Sequence, residues 1–130
     1  MKIRKLLTII LSSVCLAVFL SCQDGEATYR MITMEEAVSM MRNEKNYIIL
    51  DVRRPDEFSI GHIPNAINVP NEIIGTEEIP ELPDKNQLIL VYCRSGRRSK
   101  EAAEKLVKLG YKNIVEFGGI LDWQGEITTE

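Results

Sequence analysis

The chain has 130 residues, room for one domain with a single core. Hydrophobic residues make up 45% and charged residues 27%, which excludes a chain too polar to fold. The net charge of −3 hides an asymmetry. Lys2, Arg4 and Lys5 belong to the first 21 residues, and without them the 16 basic residues fall to 13 against 19 acidic ones. So acidic a domain is a poor general nucleic-acid binder, and no nucleic-acid partner is expected.

Residues 1–21 read as a signal peptide rather than as part of the fold. Met1 to Lys5 is a positive start, and Leu6 to Leu20 is an apolar run broken only by Thr8, Ser12 and Ser13. The run falls short of the roughly 20 residues that span a bilayer comfortably. Ser21-Cys22, followed by the polar Gln23-Asp24-Gly25-Glu26, resembles the lipobox of bacterial lipoproteins, with Phe19 where leucine is usual. The resemblance implies lipidation of Cys22, a tether over residues 22–29, and a membrane-anchored domain over 30–127 in the periplasm or at the cell surface. Ordinary cleavage or an uncleaved anchor would also place the domain outside the cytoplasm. Cys15 would leave with the peptide, so Cys93 would be the only free thiol of the mature domain, and no internal disulfide could form. In an oxidising compartment a lone thiol is a liability unless its chemistry is used.

Regular structure is expected from Tyr29-Arg30-Met31-Ile32, a short strand. Thr33 and Glu36 have the spacing of a capping box, and Ala37, Val38, Met40 and Met41 supply the apolar stripe of a helix to about Glu44. Tyr47 to Val52 is a nearly continuous apolar run, as in a strand buried on both faces. Residues 53–58 read as loop with room for one helical turn, Pro55 being suited to its first position. Ala66 to Val69 is a short strand, and 71–86 is mostly loop, with a short helix at most near Asn71. Leu88 to Tyr92 is a second fully buried strand. Ser99 to Leu109 has helical spacing and ends at Gly110. Ile114 to Phe117 is the last strand, after which Gly118-Gly119 opens a short helix holding Leu121 and Trp123. Strands alternating with helices predict an α/β fold: a mostly parallel sheet of about five strands with helices on both faces.

Ligands of such sheets bind beyond the carboxyl ends of the strands, where Cys93 falls. Unpartnered N–H groups at the start of the following helix, the helix dipole, and the charges of Arg94, Arg97 and Arg98 all favour a sulfur anion there. Gly96 permits the tight turn that lets backbone N–H groups converge. The expected site is an anion cradle of Arg94, Ser95, Gly96, Arg97, Arg98 and Ser99 around a nucleophilic Cys93. Arg97 and Arg98 rank first as substrate ligands and Arg94 next. No His or Cys cluster offers a metal site, and no cofactor is implied.

Three segments resemble the rhodanese family: Asp51 to Pro70, with Asp51-Val52-Arg53 and Gly61-His62-Ile63-Pro64; Tyr92 to Ser99; and Gly118-Gly119-Ile120-Leu121-Asp122-Trp123. Asn65 stands where glycine is frequent, which a left-handed turn tolerates. The resemblance implies a single rhodanese-like domain and a sulfurtransferase that takes sulfur from thiosulfate or a polysulfide onto Cys93. A thiol or cyanide would then collect it from the persulfide. Asp51 is expected to orient backbone or Arg53 beside the loop; for Arg53 two placements stay open, an ion pair with Asp51 or a position facing the pocket, with the structural one favoured. His62 and Trp123 are expected to be structural. Two rivals remain: a membrane-tethered persulfide carrier without catalysis, and a phosphatase or arsenate reductase. Phosphatase loops carry arginine six residues after the cysteine, where this chain has Ser99 and arginine falls one earlier, at Arg98.

Overall fold

A computed structural model describes residues 28–130. The signal-peptide and Cys22 readings lie outside them. The strands are β1 (Arg30–Met31), β2 (Tyr47–Asp51), β3 (Ile67–Asn68), β4 (Leu88–Cys93) and β5 (Ile114–Gly119). The helices are α1 (Met34–Asn43), α2 (Pro55–Ile60) and α3 (Arg97–Lys108), with 3-10 turns at Asn71–Ile73 and Ile120–Asp122. The five strands form one parallel sheet in the order β1-β5-β4-β2-β3.

The continuous apolar strands are explained by cover on both faces. In β4, Ile89, Val91 and Cys93 pack with Ala102, Ala103 and Leu106 of α3. Leu90 and Tyr92 point the other way, to Ala37 of α1, Ile63 and the half-buried Phe58 of α2. The alternation of side chains along a strand therefore puts Cys93 on the α3 face. The expected capping box starts α1: Glu36 N–H donates to Thr33 Oγ1 at 3.1 Å, and Thr33 N–H donates to Glu36 Oε2 at 3.4 Å. Such a cap contributes about 1 kcal/mol. Asn65 takes the left-handed conformation, φ 67°.

Four boundaries differ from expectation. Cys93 is the last residue of β4 rather than the first of a loop, because its backbone still pairs with Gly119. Helix α3 starts at Arg97, two residues earlier than the apolar spacing predicts, because Gly96 at φ 109° makes the turn and leaves the arginines free to be helical. The stretch after Pro55 is a full helix, α2. Gly118 and Gly119 belong to β5, and the short helix expected after them is the 3-10 turn Ile120–Asp122, capped by Gly119 and ending at Trp123. Between Val91↔Glu116 and Cys93↔Gly119, β5 spends one residue more than β4, a bulge with Gly118 at φ 98°. Trp123 is half-buried against the α1 and α2 side of the core, and its Nε1 donates to Glu126 O at 3.0 Å.

Candidate active site

Three elements meet at Cys93. Strand β4 delivers the sulfur at its carboxyl end, the Arg94-Ser95-Gly96 turn folds over it, and the first turn of α3 follows. Gly96 N–H donates to Cys93 Sγ at 3.0 Å. The Cys93 thiol faces Ser99 Oγ at 3.4 Å. Cys93 is 1% exposed, so the sulfur lies at the floor of the cradle. The bulged end of β5 braces the turn from below. Leu121 N–H donates to Arg94 O at 3.2 Å. A Cβ on Gly119 would collide with that same carbonyl and with Ser95 N. Only glycine lets the two backbones approach so closely.

The three loop arginines separate. Arg98 is mostly buried and makes a bidentate pair with Glu57 of α2, at 2.7 and 2.9 Å. That pair holds the Glu57 carboxyl down at about 2, from 4.5, and raises the Arg98 guanidinium. Arg97 reaches back along the helix surface to Glu101 at 2.8 Å. Arg94 is exposed and has no carboxylate partner among the described residues. The pair with Glu57 sets Arg98 apart from Arg97 and Arg94, a distinction that spacing cannot see because α2 delivers the carboxylate. A shallow cavity of about 330 Å³ opens over the loop, lined by Arg54, Glu57, Glu72, Arg94, Ser95, Arg97 and Arg98. Larger clefts of about 610 and 640 Å³ lie elsewhere, and no loop residue from Cys93 to Ser99 lines them.

The neighbouring strand end is closed. Asp51 is fully buried and accepts from Arg53 N at 2.9 Å, Nε at 3.0 Å and Nη2 at 2.7 Å. Arg53 Nη2 also donates to Gly61 O at 2.7 Å. Arg53 therefore ties the β2 end to the α2 end instead of facing the cavity. Asp51 lies in register with Tyr92, next to Cys93. Burial pushes the Tyr92 phenol up, with Asp51 adding to the effect. His62 stacks on Phe58, and its ring nitrogens face Phe58 O at 2.8 Å and Glu130 O at 2.9 Å, with no contact to the cysteine loop.

One residue of the site was missed by sequence reasoning. Glu116 of β5 is 3% exposed on the α3 face, in line with Ile114. Its Oε1 accepts from Ser99 Oγ at 2.6 Å and from Gly118 N–H at 2.9 Å. The signal was present: an acid interrupting the apolar run Ile114-Val115-Glu116-Phe117.

Fold and site together define a parallel α/β protein with a buried thiol that accepts a backbone N–H at the start of a helix. The rhodanese-like domain model matches residues 33–126, and the chain belongs to that family. Thiosulfate sulfurtransferase PspE of Escherichia coli is 37% identical over 73 residues, 56% of this chain and 70% of the relative. A Bacillus subtilis protein named "Putative sulfur carrier protein YrkF" is 31% identical over 73% of this chain and 51% of its own length. Two longer fungal relatives, each named adenylyltransferase and sulfurtransferase, are matched over only 23% and 27% of their lengths. Among solved structures, a rhodanese-related protein of Thermoplasma volcanium superposes with a TM-score of 0.64 at 33% identity, covering 78% of this chain and all of that one.

Proposed function

We propose that the chain is a sulfurtransferase that carries sulfane sulfur as a persulfide on Cys93. The observation that carries this reading is the 3.0 Å hydrogen bond from Gly96 N–H to Sγ at the N-terminus of α3, in a family whose named relatives include thiosulfate sulfurtransferases. The Cys93 thiolate attacks the outer sulfur of thiosulfate, an S–S bond forms, and sulfite leaves with the electron pair of the broken bond. With a polysulfide the leaving group is the shorter chain. A thiol or cyanide then attacks the outer sulfur, and Cys93 returns as thiolate. Arg94, without a carboxylate partner among the described residues, and the exposed Arg97 are the groups that meet the incoming anion. Arg98 serves through Glu57 by pinning α2 to the loop.

The test is mass spectrometry of purified protein treated with thiosulfate or a polysulfide. A gain of one sulfur atom, absent in Cys93→Ser, is expected, and no gain with either donor overturns the reading. The sulfur-carrier name of the Bacillus relative favours a second reading, in which the persulfide is handed to one protein partner. Multiple turnovers yielding thiocyanate from thiosulfate and cyanide would sink that reading; a single stoichiometric transfer would favour it. A phosphatase reading is opposed by the short loop and by Arg98 being held by Glu57. Release of phosphate from an aryl phosphate, without thiocyanate formation, would reverse that judgement.

The same reading puts this work outside the cytoplasm, on a lipid carried by Cys22, and its support is the apolar run that ends at Ser21-Cys22. Metabolic labelling with a fatty acid, lost in Cys22→Ser, is the expected outcome. Unlabelled protein in the soluble fraction would sink the anchor.

A further inference from the structure

Glu116 has no role in the steps above, and its position is costly. A carboxylate at 3% exposure facing the α3 core normally has a cation beside it, yet among the described residues no ion pair reaches Glu116. What it has instead is a hydrogen-bonded line to the nucleophile: Cys93 Sγ to Ser99 Oγ at 3.4 Å, and Ser99 Oγ to Glu116 Oε1 at 2.6 Å. The serine hydroxyl has one proton and three acceptors in reach, Glu116 Oε1, Gly96 O at 2.9 Å and Gly118 O at 3.3 Å. The carboxylate is the nearest and the only charged one, so it takes the proton. The serine lone pairs are then left to accept from the Cys93 thiol.

We propose that Ser99 and Glu116 are the proton acceptor of Cys93, with Ser99 relaying the thiol proton and Glu116 storing it. The inference rests on Cys93 being the working nucleophile. In the step, the S–H bond of Cys93 breaks and its electron pair stays on sulfur. Ser99 Oγ gains that proton while passing its own to Glu116 Oε1. The buried pair carries one negative charge before the transfer, on the carboxylate, and one after it, on sulfur. No charge is imported into a dry site, so the step avoids the desolvation that would oppose forming a second anion there. After transfer, the Ser99 hydroxyl donates to the new thiolate alongside Gly96 N–H. Glu116 acts only through Ser99 and is a positioning residue; it does not touch the substrate.

The expected placement of sulfur chemistry and the relay are tested apart by probes that need no sulfur donor. Alkylation of Cys93 by iodoacetamide and the ultraviolet absorbance of its thiolate are compared at one neutral pH in wild type, Glu116→Gln, Ser99→Ala and the double variant. Glutamine keeps the oxygen that accepts from Ser99 and Gly118 but cannot take a proton. Loss of a placed proton acceptor is expected to slow alkylation by about tenfold or more and to reduce thiolate absorbance in each single variant. Members of one relay act as a unit, so the double variant should be no slower than either single one. Unchanged alkylation in Glu116→Gln overturns the relay, and faster alkylation does so too, since it would mean that the buried charge merely repels the thiolate. Additive losses in the double variant also overturn it. Ser99→Ala deletes only a hydroxyl, so it reports on the relay even if Glu116→Gln does not fold. If the wild type gains no persulfide from thiosulfate or polysulfide while these variants behave as expected, the relay stands and the sulfurtransferase reading falls.

Discussion

Two buried carboxylates sit on the strands either side of β4, and they are treated differently. Asp51 at the end of β2 is saturated by Arg53 through backbone and guanidinium, and Arg53 is itself tied to Gly61 O. Glu116 in β5 has no cation partner among the described residues and spends its hydrogen bonds on Gly118 and on Ser99, which touches Cys93. The first arrangement is closed, and all its bonds are internal to the scaffold. The second is open at one end, toward the sulfur. A buried acid that is fully paired holds structure, whereas one left without a cation, against a nucleophile, keeps its proton-accepting capacity. Buried charge by itself does not mark function; the direction of its hydrogen bonds does.

The sharpest way to break this contrast is to remove the closed acid. Asp51→Ala leaves the Arg53 guanidinium buried and unpaired, and should cost about 3–5 kcal/mol in urea denaturation. A loss below about 1 kcal/mol would mean that the pair does not hold the β2 end. Gly119→Ala is next. Its Cβ collides with Arg94 O, so the turn must shift, at about 1–3 kcal/mol. The folded fraction should fail to gain sulfur on Cys93 by mass spectrometry, and retained loading would show that the β5 bulge does not set the cradle.

Glu116→Gln should behave opposite to Asp51→Ala in stability. Removing an uncompensated buried charge while keeping its shape is expected to be neutral or stabilising by up to about 1 kcal/mol. A destabilisation as large as that of Asp51→Ala would erase the distinction between the two acids. The smallest effect concerns Glu57, whose carboxyl is lowered from 4.5 to about 2 chiefly by its hydrogen bond with Arg98. A lowered native value means that the ionised form favours the fold. Its contribution is therefore complete above pH 4.5 and is lost as pH falls through about 2. Partial exposure limits it to about 1 kcal/mol. Denaturation midpoints between pH 6 and pH 2 should fall less steeply in Glu57→Gln than in wild type. Parallel curves would show that the pair adds nothing.

The sheet, the helix faces and the position of Cys93 were legible in the sequence because each depends on local order. Continuous apolar runs give strands covered on both faces, Thr33 and Glu36 give a cap, and Gly96 gives the turn. The boundaries that moved did so for reasons outside that local pattern. Gly118 and Gly119 look like a break in the sequence but pair with β4 as a bulge, since strand pairing is decided by the partner strand. Arg97 and Arg98 look equivalent, yet one reaches Glu101 on its own helix and the other Glu57 on a different one.

By itself, the sequence determined a parallel α/β domain, a cysteine at the carboxyl end of a central strand, and a glycine turn followed by a helix. Spacing along one chain is sufficient for these, because backbone geometry and side-chain alternation act over a few residues. Tertiary structure alone decided which arginine is held by Glu57, that Gly119 must lack a side chain, and that Glu116 lies within one serine of the sulfur. Those three facts depend on β5 and α2 arriving beside the loop from distant positions in the chain. An acid inside an apolar strand is visible in the sequence, but its partner is not, and only the register of the neighbouring strand brings it into hydrogen-bonding distance of Ser99.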